Sequence, residues 1–101
     1  MILLATLTVH PDRVGAFRDY ERKAARIMER HGGRIEKVIA LDPDPEDAFY
    51  RETHVVSFPD EASLTAYRND PEFKALATER EACILATAIR RGKEAPGYHG
   101  S

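Results

Sequence analysis

Residues 54–73 read HVVSFPDEASLTAYRNDPEF, and the changes of period within this stretch decide the fold. Alternation from His54 through Val56 to Phe58 is the period-two pattern of a strand, with those three side chains on one face. Pro59-Asp60 ends the pattern and opens a helical region, in which Asp60 is the expected N-cap and Leu64 and Tyr67 form the inner face. A break follows at Pro71, which lacks an amide hydrogen. In a continuous helix it would cost about 3 kcal/mol and disfavour a helical Asp70; as the first residue of a new segment it costs little. Asp70 can then cap the restart, and the bend turns both Tyr67 and Phe73 toward the sheet. Leu76, Ala77 and Arg80 continue the helical spacing.

Upstream, residues 2–9 alternate between Leu3, Ala5, Leu7, Val9 on one side and Ile2, Leu4, Thr6, Thr8 on the other, a strand with two usable faces. His10-Pro11-Asp12 supplies a helix start, with Pro11 at a tolerated first position and Asp12 near the positive end. Val14, Phe17, Tyr20, Ala24, Ile27, Met28 and His31 share one face of the helix that follows; Arg18, Asp19, Arg22, Lys23, Arg26, Glu29 and Arg30 lie opposite. Gly32-Gly33 ends it, because glycine accepts a left-handed backbone at no steric cost. RIEKVIAL (34–41) and AFYRETHVVSF (48–58) read as strands of a hairpin joined by the polar loop DPDPED, and CILATAIR (83–90) as a last strand. The order βαββαβ predicts an α+β, ferredoxin-like fold, a four-stranded antiparallel sheet with two helices on one face. Residues 1–92 form one expected domain, with 93–101 a flexible tail that has no periodicity.

Composition removes several function classes. A chain of 101 residues with 43% hydrophobic and 32% charged residues suits one globular domain, which buries about 65% of its unfolded surface. No apolar run approaches the roughly 18 residues of a membrane span, so no membrane partner is expected. MILLATLTV lacks a basic start and a small-residue cleavage site, and together with a lone cysteine, Cys83, it predicts a cytoplasmic protein. A formal charge of −2 argues against nucleic acid as a partner; Asp19 and Glu29 interrupt the arginine-rich helix face, and the strands carry no aromatic stacking signature.

Two helices cover only one side of such a sheet, while Ile2, Leu4 and Val55 make the other side apolar. Two sheets packed face to face in a homodimer would solve this. Arg51, Thr53, Ser57, Thr6 and Thr8 would then supply hydrogen bonds at the interface.

HGGRIEKVI and HVVSFPDEASLTAYRNDPEFKALATERE resemble the dimeric α+β barrel proteins, and within them the small domain of unknown function family 1330. Phe58, Pro59, Tyr67, Asp70, Pro71, Glu72, Phe73 and Arg80 stand at the places of that family's motif. The resemblance implies a ferredoxin-like homodimer with a small pocket between helices and sheet, and no particular reaction. More distantly it extends to cofactor-independent antibiotic biosynthesis monooxygenases and to haem-degrading monooxygenases. The latter resemble an asparagine, tryptophan and histidine constellation; this chain has no tryptophan, so haem is not expected. In the narrower family an acidic residue often precedes the Phe-Pro element and another the final glycine, where this chain has Ser57 and Arg91.

His54 is the leading candidate for chemistry, since a buried imidazole needs a partner and Glu52 lies two residues away on the same face. With Tyr67 approaching from the second helix, His54 and Tyr67 form a candidate acid–base pair, with Glu52, Tyr20, Phe73 and Arg80 as candidate ligand-binding residues. The structural alternative is a hydrogen-bonded core histidine. Arg80 could instead pair locally with Glu72 or Glu79. DPDPED lacks the central glycine and twelfth-position acid of a calcium loop. His10, His31, His54 and His99 have no metal-ligand spacing, so no metal or other cofactor is expected. Cys83 reads as a small buried hydrophobe. Three functions remain open: a homodimeric binder of a small organic molecule, a cofactor-independent monooxygenase or isomerase, and a non-catalytic interaction module.

Overall fold

Leu3, Leu7 and Val9 are buried while Leu4 between them is exposed, so the first strand has the two unlike faces its alternation implies. The computed structural model describes residues 1–98; His99, with Gly100 and Ser101, lies outside the described residues. The elements run β1 (Ile2–Val9), α1 (Val14–Arg30), β2 (Arg34–Ala40), β3 (Tyr50–Ser57), α2 (Glu61–Asn69), α3 (Pro71–Lys74), α4 (Ala77–Cys83) and β4 (Ile84–Gly92). The four strands form one antiparallel sheet in the order β2-β3-β1-β4, the ferredoxin-like arrangement expected. Residues 93–98 belong to neither helix nor strand.

The register sorts the side chains. Leu3 stands opposite Val56, Ala5 opposite His54 and Leu7 opposite Glu52, all on the helix side. Leu4 faces Val55 and Thr6 faces Thr53 on the other, where the two threonine hydroxyls lie 3.0 Å apart. One buried cluster joins Leu3, Ile27, Met28, Val56, Phe58, Leu64 and Tyr67; a second joins Leu7, Val9, Phe17, Tyr20, Ala24 and Cys83. Phe73 and Leu76 pack against both.

Several boundaries differ from the sequence reading. Helix α1 begins at Val14, not at Pro11, because the Arg13 amide donates to the His10 carbonyl at 2.9 Å and closes a turn before the helix starts. Its N-cap is Arg13, with no side-chain cap, and no acidic residue occupies the first turn. His31 lies just past the helix as its C-cap. Gly32 takes the left-handed conformation, with φ of 77°, as expected. Gly33 is required for space instead: a Cβ there would lie 2.5 Å from Phe58 Cε1 and 2.5 Å from Met28 Cγ. The hairpin strands stop at Ala40 and resume at Tyr50, because Asp44 and Asp47 accept from the Glu46 and Phe49 amides (2.8 and 3.0 Å) and draw the flanking residues into Asx turns.

Cys83 closes α4 rather than opening β4; its thiol donates to the Glu79 carbonyl at 3.2 Å, one helical turn back, and is fully buried. The second helical region is three segments, not two. Asp60 caps α2, accepting from the Ser63 amide at 2.8 Å, and Pro71 opens α3 as anticipated. A further break at Ala75–Leu76 separates α3 from α4. These bends wrap the region over the sheet.

The first break is tied to α1. Asp70 accepts from the Glu72 amide (2.8 Å) and meets His31 Nε2 at 2.7 Å, while Arg30 grips Glu72 with two bonds of 2.8 and 3.1 Å. The His31 bond first, and then the Glu72 amide, hold the Asp70 carboxyl below its ordinary range. A lowered folded-state value means stability that is fully present above the unfolded pKa of about 3.9 and lost as pH falls through the folded value. Asp70→Asn should therefore melt at a lower temperature than wild type near neutral pH. The gap should close below about pH 4; a gap unchanged down to pH 2 in thermal melts would remove Asp70 as its source.

Candidate functional site

The small side chain of Ala5 leaves room on the sheet between His54 and Ile89, its neighbours across β3 and β4. Above it, the helices do not close on the sheet, leaving a cavity of about 330 Å³. Leu3, Leu7, Val56, Phe58 and Phe73 give it an apolar body. Tyr20, Glu21, His54, Tyr67, Arg80 and Thr87 add polar groups to the wall. Arg68 and Ile89 also line it and are exposed, which places its mouth beside the β4 edge.

Strand β3 carries Tyr50, Glu52 and His54 on one face, and they form a chain of hydrogen bonds. Tyr50 Oη donates to Glu52 Oε2, and Glu52 Oε1 lies 2.8 Å from His54 Nε2. A carboxylate only accepts, so Nε2 carries the proton and Nδ1 is left with its lone pair. Glu21, from α1, brings its carboxyl to 3.8 Å from Nδ1. Burial is the main reason that Glu21 holds its proton to higher pH than an exposed glutamate; the nearby His54, and then Arg80, oppose the shift. His54 is 4% exposed and Glu52 7%, so this is a buried pair.

Tyr67 lines the cavity from α2, its ring 4.3 Å from that of Phe73 and 5.7 Å from that of Phe58. Its hydroxyl makes no hydrogen bond among the described residues, yet no buried polar atom there lacks a partner, so the hydroxyl meets open space. Desolvation raises its pKa well above that of a free phenol, and it stays protonated. No hydrogen bond joins Tyr67 to His54; what they share is the cavity wall.

Of the other sequence candidates, Tyr20, Phe73 and Arg80 line the cavity, and Glu52 stands behind His54 as its partner. Arg80 pairs with neither Glu72 nor Glu79. Those carboxylates are taken by Arg30 and by Lys23, the latter at 3.0 Å, because both cations project from the facing side of α1. Arg80 turns inward and donates to Tyr20 Oη at 3.3 Å and Thr87 Oγ1 at 2.5 Å. Sequence reasoning missed Glu21, Tyr50 and Thr87. Period-two spacing from His54 through Glu52 to Tyr50 would have found one of them, and Glu21's helical spacing from Phe17, Ala24 and Met28 another. Thr87 carried no signal. Among the described residues no three His, Cys, Asp or Glu side chains gather as a metal site, and no helix is long and apolar enough to cross a membrane.

A family model described as Domain of unknown function (DUF1330) matches residues 3–90. No curated protein matches the chain. Among solved structures, a protein of unknown function from Rhodopseudomonas palustris is 19% identical with a TM-score of 0.71, over 95% of this chain and 83% of that one. SnoaB, a cofactor-independent oxygenase from Streptomyces nogalater, is 18% identical with a TM-score of 0.61, over 93% of each chain. A candidate antibiotic biosynthesis monooxygenase from Nitrosomonas europaea is 15% identical with a TM-score of 0.65, over 91% of this chain and 98% of that one. At these identities the likeness is one of fold.

Proposed function

This chain belongs to the DUF1330 family, and we propose that it binds a small, largely apolar organic molecule in the cavity between sheet and helices. The supporting observation is the cavity of about 330 Å³, apolar in its body and lined by His54 from the sheet and Tyr67 from α2. That combination, a greasy interior with few convergent polar groups, is what small-molecule sites require. Tyr20 and Phe73 bound the ligand, and Glu52 orients the His54 ring. Ala5→Leu tests this, because the longer side chain would occupy the space over the sheet. Titration of the neutral fluorophore N-phenyl-1-naphthylamine should give saturable binding to the wild type and at least about tenfold weaker binding to the variant, a difference of about 1.4 kcal/mol. Equal affinities would place the probe elsewhere and reject the cavity as the site.

A second reading is favoured by one observation, the His54–Glu52 pair at the cavity wall. A carboxylate that orients one imidazole nitrogen leaves the other suited to take a proton from a bound molecule, with Tyr67 as a protonated hydroxyl to return one. SnoaB, similar in fold, is a cofactor-independent oxygenase; proton abstraction from an organic substrate is the step this chain could contribute to such chemistry, or to an isomerisation. Loss of turnover in a folded His54 variant would support the enzyme, and ligand binding without turnover the binder.

The molecule further acts, in our reading, as a homodimer through the uncovered sheet face. Leu4 and Ile39 are 45% and 46% exposed there, beside Val55. Burying such a patch needs a second apolar surface of like shape, and a second copy supplies it. Light scattering at micromolar concentration should return twice the chain mass of 11.4 kDa; a value near one chain would refute the dimer.

A further inference from the structure

Resting on the cavity reading above, we propose that the ligand is an organic monoanion, a carboxylate or an acidic phenolate, whose negative group is held by the Arg80 guanidinium. Arg80 lines the cavity and is partly buried. A guanidinium presents five N–H donors in a planar fork. Two bonds are made, both to neutral oxygens, Tyr20 Oη and Thr87 Oγ1. Among the described residues Arg80 makes no ion pair: Glu79 is occupied by Lys23, Glu72 by Arg30, and Glu81 is not paired with it. The other arginines without an ion pair among the described residues, Arg13, Arg18, Arg26, Arg34, Arg68 and Arg90, are exposed to water, whereas Arg80 is partly buried against the cavity.

The register separates the polar groups across the sheet: Arg80 reaches Thr87 on β4, while His54, backed by Glu52, stands on β3 with β1 between them. The Glu21 carboxyl approaches His54, and the exposed Arg68 stands at the mouth. Glu21 is close enough to feel the Arg80 charge but forms no bond with it. An anion is therefore drawn to the β4 side and away from the carboxyls beside His54, which orients it. Its charged group sits on Arg80, its body lies over Ala5, and its other side faces His54. A hydrogen-bond donor there would meet His54 Nδ1. A neutral ligand would leave the guanidinium without its counter-charge in a partly desolvated wall, and a cation would face it directly.

The test compares 1-naphthoate with its uncharged isostere 1-naphthamide by calorimetric titration, on the wild type and on R80Q, R80K and R68Q. Naphthoate should bind the wild type about tenfold or more tightly than naphthamide, the gain of a charge-assisted bond over a neutral one. R80Q should erase that preference, and R68Q should keep it. R80K, which retains the charge without the fork, should lie between and serves alone should R80Q fail to fold. Equal wild-type affinities for the two molecules overturn the anion proposal and leave the cavity reading standing. A preference that survives R80Q, or that R80K leaves wholly unchanged, overturns the assignment to Arg80. Failure of both molecules to bind the wild type overturns the cavity reading with it.

Discussion

Phe17→Ala should lower the unfolding free energy by about 3–5 kcal/mol, the cost of removing a fully buried aromatic ring and leaving its space unfilled. Phe17 is 0% exposed and sits where α1 meets the sheet. Its ring lies 6.4 Å from that of Tyr50, edge to face, and 6.4 Å from that of His54. The cost is thus lost hydrophobic burial, a cavity and a lost aromatic pair. Against a whole-domain stability of about 5–15 kcal/mol, one substitution would consume a large share of the margin. Denaturant titration measures it, with Phe17→Leu as the control at roughly 1 kcal/mol. An alanine cost no larger than the leucine cost would mean that α1 is not anchored at this point.

His54→Leu should cost about 3–5 kcal/mol as well, for an electrostatic reason: it strands the Glu52 carboxylate in a buried site. Glu52 would keep only the bond from Tyr50 Oη, and Glu21 would lose the imidazole that faces it at 3.8 Å. The decisive comparison is the double variant Glu52→Leu/His54→Leu. Removing the carboxylate together with its imidazole partner leaves no stranded charge, so the double variant should be more stable than His54→Leu alone, with a coupling of roughly 0.5–3 kcal/mol. Strictly additive costs in the cycle would mean that the 2.8 Å contact between Glu52 and His54 contributes nothing as a pair. Where the double variant folds, its ligand affinity separates the structural part of His54 from the functional one.

Much of this architecture was legible because it follows from local rules. Proline cannot donate, so the break at Pro71 and its cap at Asp70 could be read from three letters of sequence. Alternation placed His54, Val56 and Phe58 on the buried side and left Leu4 and Val55 on the other. The start of α1 and the place of Cys83 were misread, because helix boundaries depend on which carbonyls happen to be within reach, as His10 and Glu79 are here. The break at Ala75–Leu76 had no proline or glycine to announce it.

The site divides along the same line. The βαββαβ order, the family motif of residues 54–80, and the placement of Glu52 and His54 toward the helices and of Tyr67 toward the sheet were all legible along the chain, since each rests on spacing within one element. Packing between elements sets the rest: that helices and sheet leave a cavity between them, that Glu21 approaches the far side of His54, and that Arg80 is left unpaired by Glu79 and Glu72. Those facts depend on distances between elements distant in the chain, and on competition: Lys23 and Arg30 of α1 reach Glu79 and Glu72 first. No periodicity records which of several cations wins a carboxylate, because that choice is made by packing.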